Sequence, residues 1–137
     1  MRYDDSTRLE CVELLRRGYE AWNRGELAEV IDLIHPDFQC DVPAGVLYAR
    51  GDKGPKRFER YLRDLFQEWD EFRCELEELR HAGELLVALV LEEGQDKSTG
   101  TWVRRESFHI WTIRDRKALR FGRRPRVPVR GAASAAA

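Results

Sequence analysis

The spacing of apolar residues changes along this chain near Phe72. Before that position, most apolar side chains recur every three or four residues, which is typical of helices with one buried face. After it, they alternate with polar side chains or run together in short blocks, which is typical of strands. Helices followed by consecutive antiparallel strands predict an α+β domain whose helices pack on one face of a sheet.

The same patterns give the limits of the elements. Helices are predicted over residues 7–23, 26–34 and 55–69, and a short strand over residues 38–42 precedes the third helix. Residues 43–54 are expected to form a loop. Further strands are predicted over residues 72–82, 85–93, 100–113 and 118–121. The element order is therefore α-α-β-α-β-β-β-β.

The strand over residues 100–113 can be divided into two faces, because successive side chains of a strand point in opposite directions. One face carries Val103, Arg105, Ser107, His109, Trp111 and Ile113, and the other carries Trp102, Arg104, Glu106, Phe108, Ile110 and Thr112. His109 stands out, since an imidazole can act as a base, an acid or a hydrogen-bond partner near neutral pH. The alternative is that His109 holds the strand to its neighbour.

Length and charge limit the classes of function. The 137 residues, 42% of them hydrophobic, suit one compact domain. The net charge of −1 combines an acidic body with a segment after residue 121 that has arginines and no acidic residue. An acidic body does not favour nucleic acid as a partner. Residues 122–137, rich in Ala, Pro and Gly, are predicted to be a disordered basic tail on a domain formed by residues 1–121.

Several kinds of site are not indicated. No apolar run approaches the roughly 20 residues that cross a bilayer, and the N-terminus is too charged for a signal peptide. A cytoplasmic protein without a membrane partner is therefore expected. Cys11, Cys40 and Cys74 lack a metal-binding spacing and are expected to be reduced, and the histidines fall on separate elements. Neither a metal nor a cofactor is expected.

Four segments together resemble a known family. RRGYEAWNRGELAEVIDLIHPDF, LYARGDKG, WDEFRCELEEL and FHIWTIRDRK resemble the SnoaL-like members of the nuclear-transport-factor-two-like superfamily, in the same order. The resemblance covers residues 9–121. It implies a cone, in which a curved mixed sheet wraps around the helices, with a pocket inside and dimers formed through the outer face of the sheet. On that basis Phe108 and Ile110 are expected to contribute to a homodimer interface.

The resemblance also implies candidate catalytic residues. Ketosteroid isomerases, distant relatives with the same cone, use an acid on the equivalent strand to bind the substrate oxygen, a carboxylate base on the first strand and a tyrosine on the first helix. His109 falls at the position of the acid and faces the pocket. Asp41 is the candidate base, although an ungapped alignment puts Val42 there. Gly18 occupies the tyrosine position, and the adjacent Tyr19 is expected to lie about 100° around the helix, as a poor substitute.

The expected pocket suits a flat, largely apolar or aromatic molecule that a few polar groups orient. Its candidate binding residues are Tyr19, Trp22, Tyr48, Trp69, Val103, Arg105, Ser107 and Trp111. For Trp22 and Trp69 an ordinary core position is the competing interpretation. The leading hypothesis is a small-ligand-binding domain. The alternatives are a cofactor-free isomerase, cyclase or hydratase that uses His109 and Asp41 as acid and base, and a structural or dimerisation module whose pocket is filled.

Overall fold

The computed structural model describes residues 5–41 and 54–126, and the elements within these ranges follow the predicted order. They are α1 (Asp5–Arg24), α2 (Leu27–Ile31), β1 (Ile34–Asp41), α3 (Pro55–Glu68), β2 (Trp69–Ala82), β3 (Leu85–Asp96), β4 (Trp102–Arg114) and β5 (Lys117–Pro125). None of the helices in these ranges is long and apolar enough to cross a membrane.

The strands form one mixed sheet in the order β1-β5-β4-β3-β2. The strands from β2 to β5 pair antiparallel with their sequence neighbours, and β1 pairs parallel with β5. α1 packs against β2, and α3 packs against β1 and β2, so the sheet wraps around the helices. The predicted α+β cone is confirmed.

The buried face of α1 follows its apolar spacing. Leu15, Tyr19 and Trp22 are buried and lie three or four residues apart, which places them on one side of the helix. The helix stops before Gly25, whose φ of 73° belongs to the left-handed region. The Gly25 N–H donates to the carbonyl of Trp22 at 2.9 Å and closes the last turn. The predicted end of this helix is thus correct to within one residue.

Gly54 fixes the start of α3 against β1. Its N–H donates to the carbonyl of Phe38 at 2.9 Å. A Cβ atom at this position would lie 2.4 Å from the carbonyl oxygen of Pro36, and the φ of 72° also favours glycine. Pro55 then occupies the first turn of the helix, where its missing N–H has no cost.

The alternation predicted for β4 is present in the structure. Ser107, His109, Trp111 and Ile113 are buried against the helices, and the residues between them are partly exposed on the other face. The period of two therefore identified the inner face of this strand correctly.

The last strand is longer than predicted. β5 continues to Pro125, and its final four residues pair with residues 107–110 of β4. The predicted end at Phe121 was wrong, because the arginine-rich composition that follows gave no sign of its pairing partner. β2 begins three residues earlier than predicted, at Trp69, and β3 continues to Asp96. The division into a domain and a disordered tail stays a prediction, and residues 127–137 lie outside the described residues.

Candidate functional site

Aromatic rings fill much of the space between the helices and the sheet. Phe58 of α3 is central to this cluster. Its ring centroid lies between 5.2 and 6.1 Å from those of Trp22, Phe38, Tyr61, Trp111 and Phe121. Tyr19 stacks on Trp22 with a centroid distance of 6.1 Å. Rings of this size contribute strongly to the stability of a core, so Trp22 has a core role whatever else it does.

A small apolar cavity remains between α1, α2 and the sheet. Its volume, taken as the space open to the centres of water molecules, is about 20 Å³. Its walls are formed by Leu14, Leu15, Gly18, Tyr19, Trp22, Val30, Leu33, Ile34, Phe58, Trp111 and Ala118. Space of this size holds about one water molecule. A larger ligand therefore requires side chains in the wall to move.

Glu92 of β3 is the centre of a buried polar network. Its side chain is 3% exposed. Oε1 accepts hydrogen bonds from Arg105 Nε at 3.0 Å, Ser107 Oγ at 2.8 Å and Arg123 Nη2 at 2.5 Å. Oε2 accepts from His109 Nε2 at 2.9 Å and from Arg123 Nε at 2.9 Å. The network joins β3, β4 and β5 on the inner face of the sheet.

The partners of Glu92 keep its carboxylate ionised. Burial acts to raise the pKa of Glu92, but the hydrogen bonds from Arg123 and His109 outweigh burial and hold this pKa well below its ordinary value. The Glu92 bonds to Arg123 also raise the pKa of that guanidinium. A charged pair is therefore buried inside the sheet, with Arg105 as a second and more exposed cation.

The network extends from Glu92 to the cavity through His109. The hydroxyl oxygen of Tyr19 lies 2.6 Å from His109 Nδ1 and 2.9 Å from Trp111 Nε1. An indole N–H can only donate, so Tyr19 accepts from Trp111 and gives its own proton to Nδ1. His109 then carries its hydrogen on Nε2, which donates to Glu92.

The surroundings of His109 agree with this neutral tautomer. Burial lowers the pKa of His109, which is fully enclosed, and burial also raises the pKa of Tyr19. Both groups are therefore uncharged at neutral pH. Each ring nitrogen of His109 already has a partner, so the imidazole is held within the protein by two hydrogen bonds.

Tyr19 is buried on α1 and lines the cavity, and its hydroxyl contacts His109. It was expected to lie too far around α1 to replace a tyrosine at position 18. Gly18, at the aligned position, lines the cavity beside Leu33. A Cβ atom added at Gly18 would meet Leu33 Cδ1 at 3.5 Å, beside α2. The contact of Tyr19 with His109 does not test donation to a ligand, so the expectation that Tyr19 is a poor substitute for the tyrosine stays a prediction.

The predicted binding residues fall into two groups. Tyr19, Trp22 and Trp111 line the cavity, whereas Trp69, Val103, Arg105 and Ser107 do not. Ser107 belongs to the Glu92 network, and the guanidinium carbon of Arg105 lies 5.4 Å from the centre of the Trp69 ring.

The remaining candidates are Asp41 and two residues that follow it in the sequence. Asp41 ends β1, where its backbone lies opposite Gly122 of β5. Val42 and Tyr48 lie outside the described residues. The role of Asp41 as a base therefore stays a prediction.

Glu92 and Arg123 are the residues that sequence reasoning missed. Glu92 lies on the inner face with the buried residues Leu86, Ala88 and Val90. The sequence did not show this face, because residues 85–91 are apolar at every position. Arg123 gave no signal either, because it follows the last apolar residue of its strand and lies among other arginines.

Metal-binding geometry is absent from residues 5–41 and 54–126. No group of three or more His, Cys, Asp or Glu side chains in these ranges could hold a metal ion. Within the described residues, Cys11, Cys40 and Cys74 form no disulfide bond.

Helices enclosed by a curved mixed sheet, with an aromatic interior, define the class of NTF2-like cone proteins. A family model described as a SnoaL-like domain matches residues 15–121, and the chain belongs to that family. No match was found among curated proteins.

Solved structures share this fold at low sequence identity. One is an NTF2-like protein of unknown function from Burkholderia pseudomallei, with 22% identity, a TM-score of 0.74, and coverage of 85% of this chain and 91% of that one. TerC, crystallised with polyporic acid, has the same identity, 22%, and a TM-score of 0.74, with coverage of 85% and 92%. IdmH from Streptomyces antibioticus, a putative polyketide cyclase, has 16% identity, a TM-score of 0.71, and coverage of 83% and 90%.

Proposed function

We propose that this SnoaL-like domain binds a small, flat, largely apolar molecule in the cavity between α1, α2 and the sheet. The observation that carries the proposal is an apolar cavity set among aromatic rings, since such walls suit ligands with little polar surface. TerC, with the same fold, has been crystallised with polyporic acid.

The size of the cavity sets a condition on binding. An engineered apolar cavity of roughly 150 Å³ binds benzene, whereas this cavity measures about 20 Å³. The wall must therefore yield when a ligand enters. α2 is the part best suited to do so, because a five-residue helix is not stable by itself and depends on its packing. Val30, which lies in α2, and Leu33, which follows α2, would move outward with the helix.

Gly18 provides a direct test of this site, with ethylbenzene as the probe. Gly18→Ala adds a methyl group at the cavity wall, where it meets Leu33 at an ordinary contact distance of 3.5 Å. It also replaces a glycine inside a helix, which stabilises the fold by about 0.5–1 kcal/mol. We expect the melting temperature without ligand to rise and the additional increase caused by ethylbenzene to shrink.

Glu20→Ala is the matched control, because Glu20 is exposed on the same helix and does not line the cavity. This variant should keep the full response to ethylbenzene. An unchanged response in Gly18→Ala would show that the cavity is not the binding site. The same measurement in wild-type protein decides between ligand binding and the alternative of a purely structural module, for which no aromatic probe raises the melting temperature.

We also propose that the protein forms a homodimer through the outer face of the sheet. Val87 lies opposite Ile110, and Leu89 lies opposite Phe108, so four apolar side chains form a contiguous patch on two central strands. They are only half-buried in the single chain. Apolar patches of this kind on a sheet surface commonly mark an interface.

A further inference from the structure

The Glu92 network contains more hydrogen-bond donors than its carboxylate can use. The carboxylate accepts five hydrogen bonds, which come from Arg105, Ser107, His109 and, twice, from Arg123. A carboxylate has about four lone-pair sites, so Glu92 has no capacity left for another donor. The remaining N–H groups of the two arginines therefore need an acceptor from outside the network.

Arg105 has the larger number of unused donors. Its Nε–H donates to Glu92 Oε1 at 3.0 Å, and its two Nη groups make no hydrogen bond within residues 5–41 and 54–126. The centre of the Trp69 ring lies 5.4 Å from the guanidinium carbon, and this ring attracts the cation without supplying an oxygen acceptor. The Arg105 side chain is 41% exposed, so an acceptor can approach the guanidinium from solvent.

Arg123 brings a second cation to the same place. Its Nη2 lies 2.5 Å from Glu92 Oε1, the oxygen that also accepts from Arg105, so the two guanidinium groups are neighbours. Nη1 of Arg123 makes no hydrogen bond with the part of the chain that the structure describes, and it is not one of the enclosed atoms without a partner. This Nη1 therefore reaches solvent beside Arg105.

The charges of this region do not balance. Arg105 and Arg123 are cations, and within the described residues Glu92 is the one anion that contacts them. His109 is neutral, and burial raises the pKa of the nearby Cys74 thiol well above its ordinary value, so that this thiol is neutral too. One positive charge is left over beside a largely buried guanidinium. Such a charge is costly without a counterion, and a bound anion would offset the cost.

We propose that Arg105 and Arg123 bind the carboxylate of a small organic monoanion. A carboxylate matches the planar guanidinium, because two parallel N–H groups can donate to its two oxygens. One negative charge is the amount that balances the network. This site goes beyond the proposed function, because Glu92 and the two arginines do not line the apolar cavity. His109 lies between Glu92 and Tyr19, which is part of the cavity wall.

Benzoate and benzamide test this site, since they share one ring and differ in the charge of the attached group. Each is added to the ¹⁵N-labelled full chain at constant ionic strength, and the arginine Nε–H signals, assigned through their side-chain carbons, are followed by NMR. We expect benzoate to shift the signals of Arg105 and Arg123. Because hydrogen bonds between two charged groups are the stronger ones, benzoate should bind at least about tenfold more tightly than benzamide.

Two variants separate this site from general attraction to positive charge. Arg105→Gln removes the exposed member of the pair and should weaken benzoate binding at least about tenfold. Arg104→Gln is the matched control, because it removes the same charge from the adjacent residue, which is exposed on the other face of β4. Salt screens such a distant charge, so this variant should change the affinity less than about twofold.

The possible outcomes are distinct. Equal affinity for benzoate and benzamide, or no shift of the two arginine signals up to the solubility limit of benzoate, would overturn the proposal. Equal weakening by the two variants would overturn it as well, because it would indicate attraction to a basic surface. Tighter binding of inorganic phosphate than of benzoate would overturn the choice of a carboxylate. None of these results affects the cavity, which is tested by the response of the melting temperature to ethylbenzene.

Discussion

Removal of the negative charge of Glu92 should destabilise the protein strongly. Glu92→Gln keeps the size and shape of the side chain and removes the charge that faces Arg123. The Arg123 side chain is only 17% exposed, so its guanidinium cannot regain full hydration while the fold persists. Arg105 is 41% exposed and can turn towards water, so its loss of a partner adds little.

The magnitude follows from the cost of leaving one member of a buried pair without its partner. Such changes cost about 3–5 kcal/mol. The amide oxygen of glutamine can still accept from Arg123, but the amide N–H₂ group would meet a second donor, either from Arg123 or from His109. We therefore expect a loss near the lower end, about 3 kcal/mol, of the free energy of unfolding in urea at pH 7.

The pH dependence of this loss has a definite sign. The folded pKa of Glu92 lies below its ordinary value, so the carboxylate stabilises the fold above the ordinary pKa of about 4.3. That contribution is lost as the pH falls from there towards the folded pKa. The difference in stability between the wild type and Glu92→Gln should therefore be constant at neutral pH and become smaller in acid.

Glu93→Gln is the control, because the adjacent residue lies on the opposite face of β3 and is half-buried. Its expected effect is within about 0.5 kcal/mol. If the two variants unfold at the same urea concentration, the Glu92 network does not stabilise the fold and the reasoning above is refuted.

Two further predictions concern His109 and the outer face. Burial lowers the pKa of His109 in the folded protein. As the pH falls through the ordinary histidine pKa of about 6.5, the unfolded chain therefore takes up a proton before the folded chain does. Wild-type stability should consequently fall between pH 7 and pH 5. His109→Gln should lose less stability over this range, and ¹⁵N chemical shifts of the wild type should show the Nε2–H tautomer at pH 6. Phe108→Glu should convert a homodimer to a monomer in sedimentation experiments, whereas Gln39→Glu, at an exposed position of β1, should not. A wild-type protein that sediments as a monomer at high concentration would contradict the proposed interface.

Local patterns in the sequence were sufficient to predict the elements and the inner face of β4. The period of a strand determines which side chains share a face, and Ser107, His109 and Trp111 followed that rule. The contacts of those side chains were not predictable in the same way. The partners of Glu92 come from β4 and β5, and their meeting depends on the register of three strands. Arg123 joins the Glu92 network because it lies opposite His109 in the pairing of β4 with β5. No local pattern in the segment around Arg123 reveals this pairing.

The position of Tyr19 was predictable only in part. Its spacing from Leu15 and Trp22 places it on the buried face of α1, as observed. Its hydrogen bond to His109 was not predictable, because that contact depends on how α1 packs against the sheet.

These contacts bear on the choice between binding and acid–base catalysis. For His109 to act as a base it must offer a lone pair, but Nδ1 accepts the proton of Tyr19 and Nε2 donates to Glu92. For Tyr19 to stabilise a developing oxyanion it must donate, but its proton is directed to His109 and burial raises its pKa. Either role requires a buried hydrogen bond to break, at a cost of about 1–3 kcal/mol. The two hydrogen bonds of His109 therefore favour ligand binding in the cavity over proton transfer by His109.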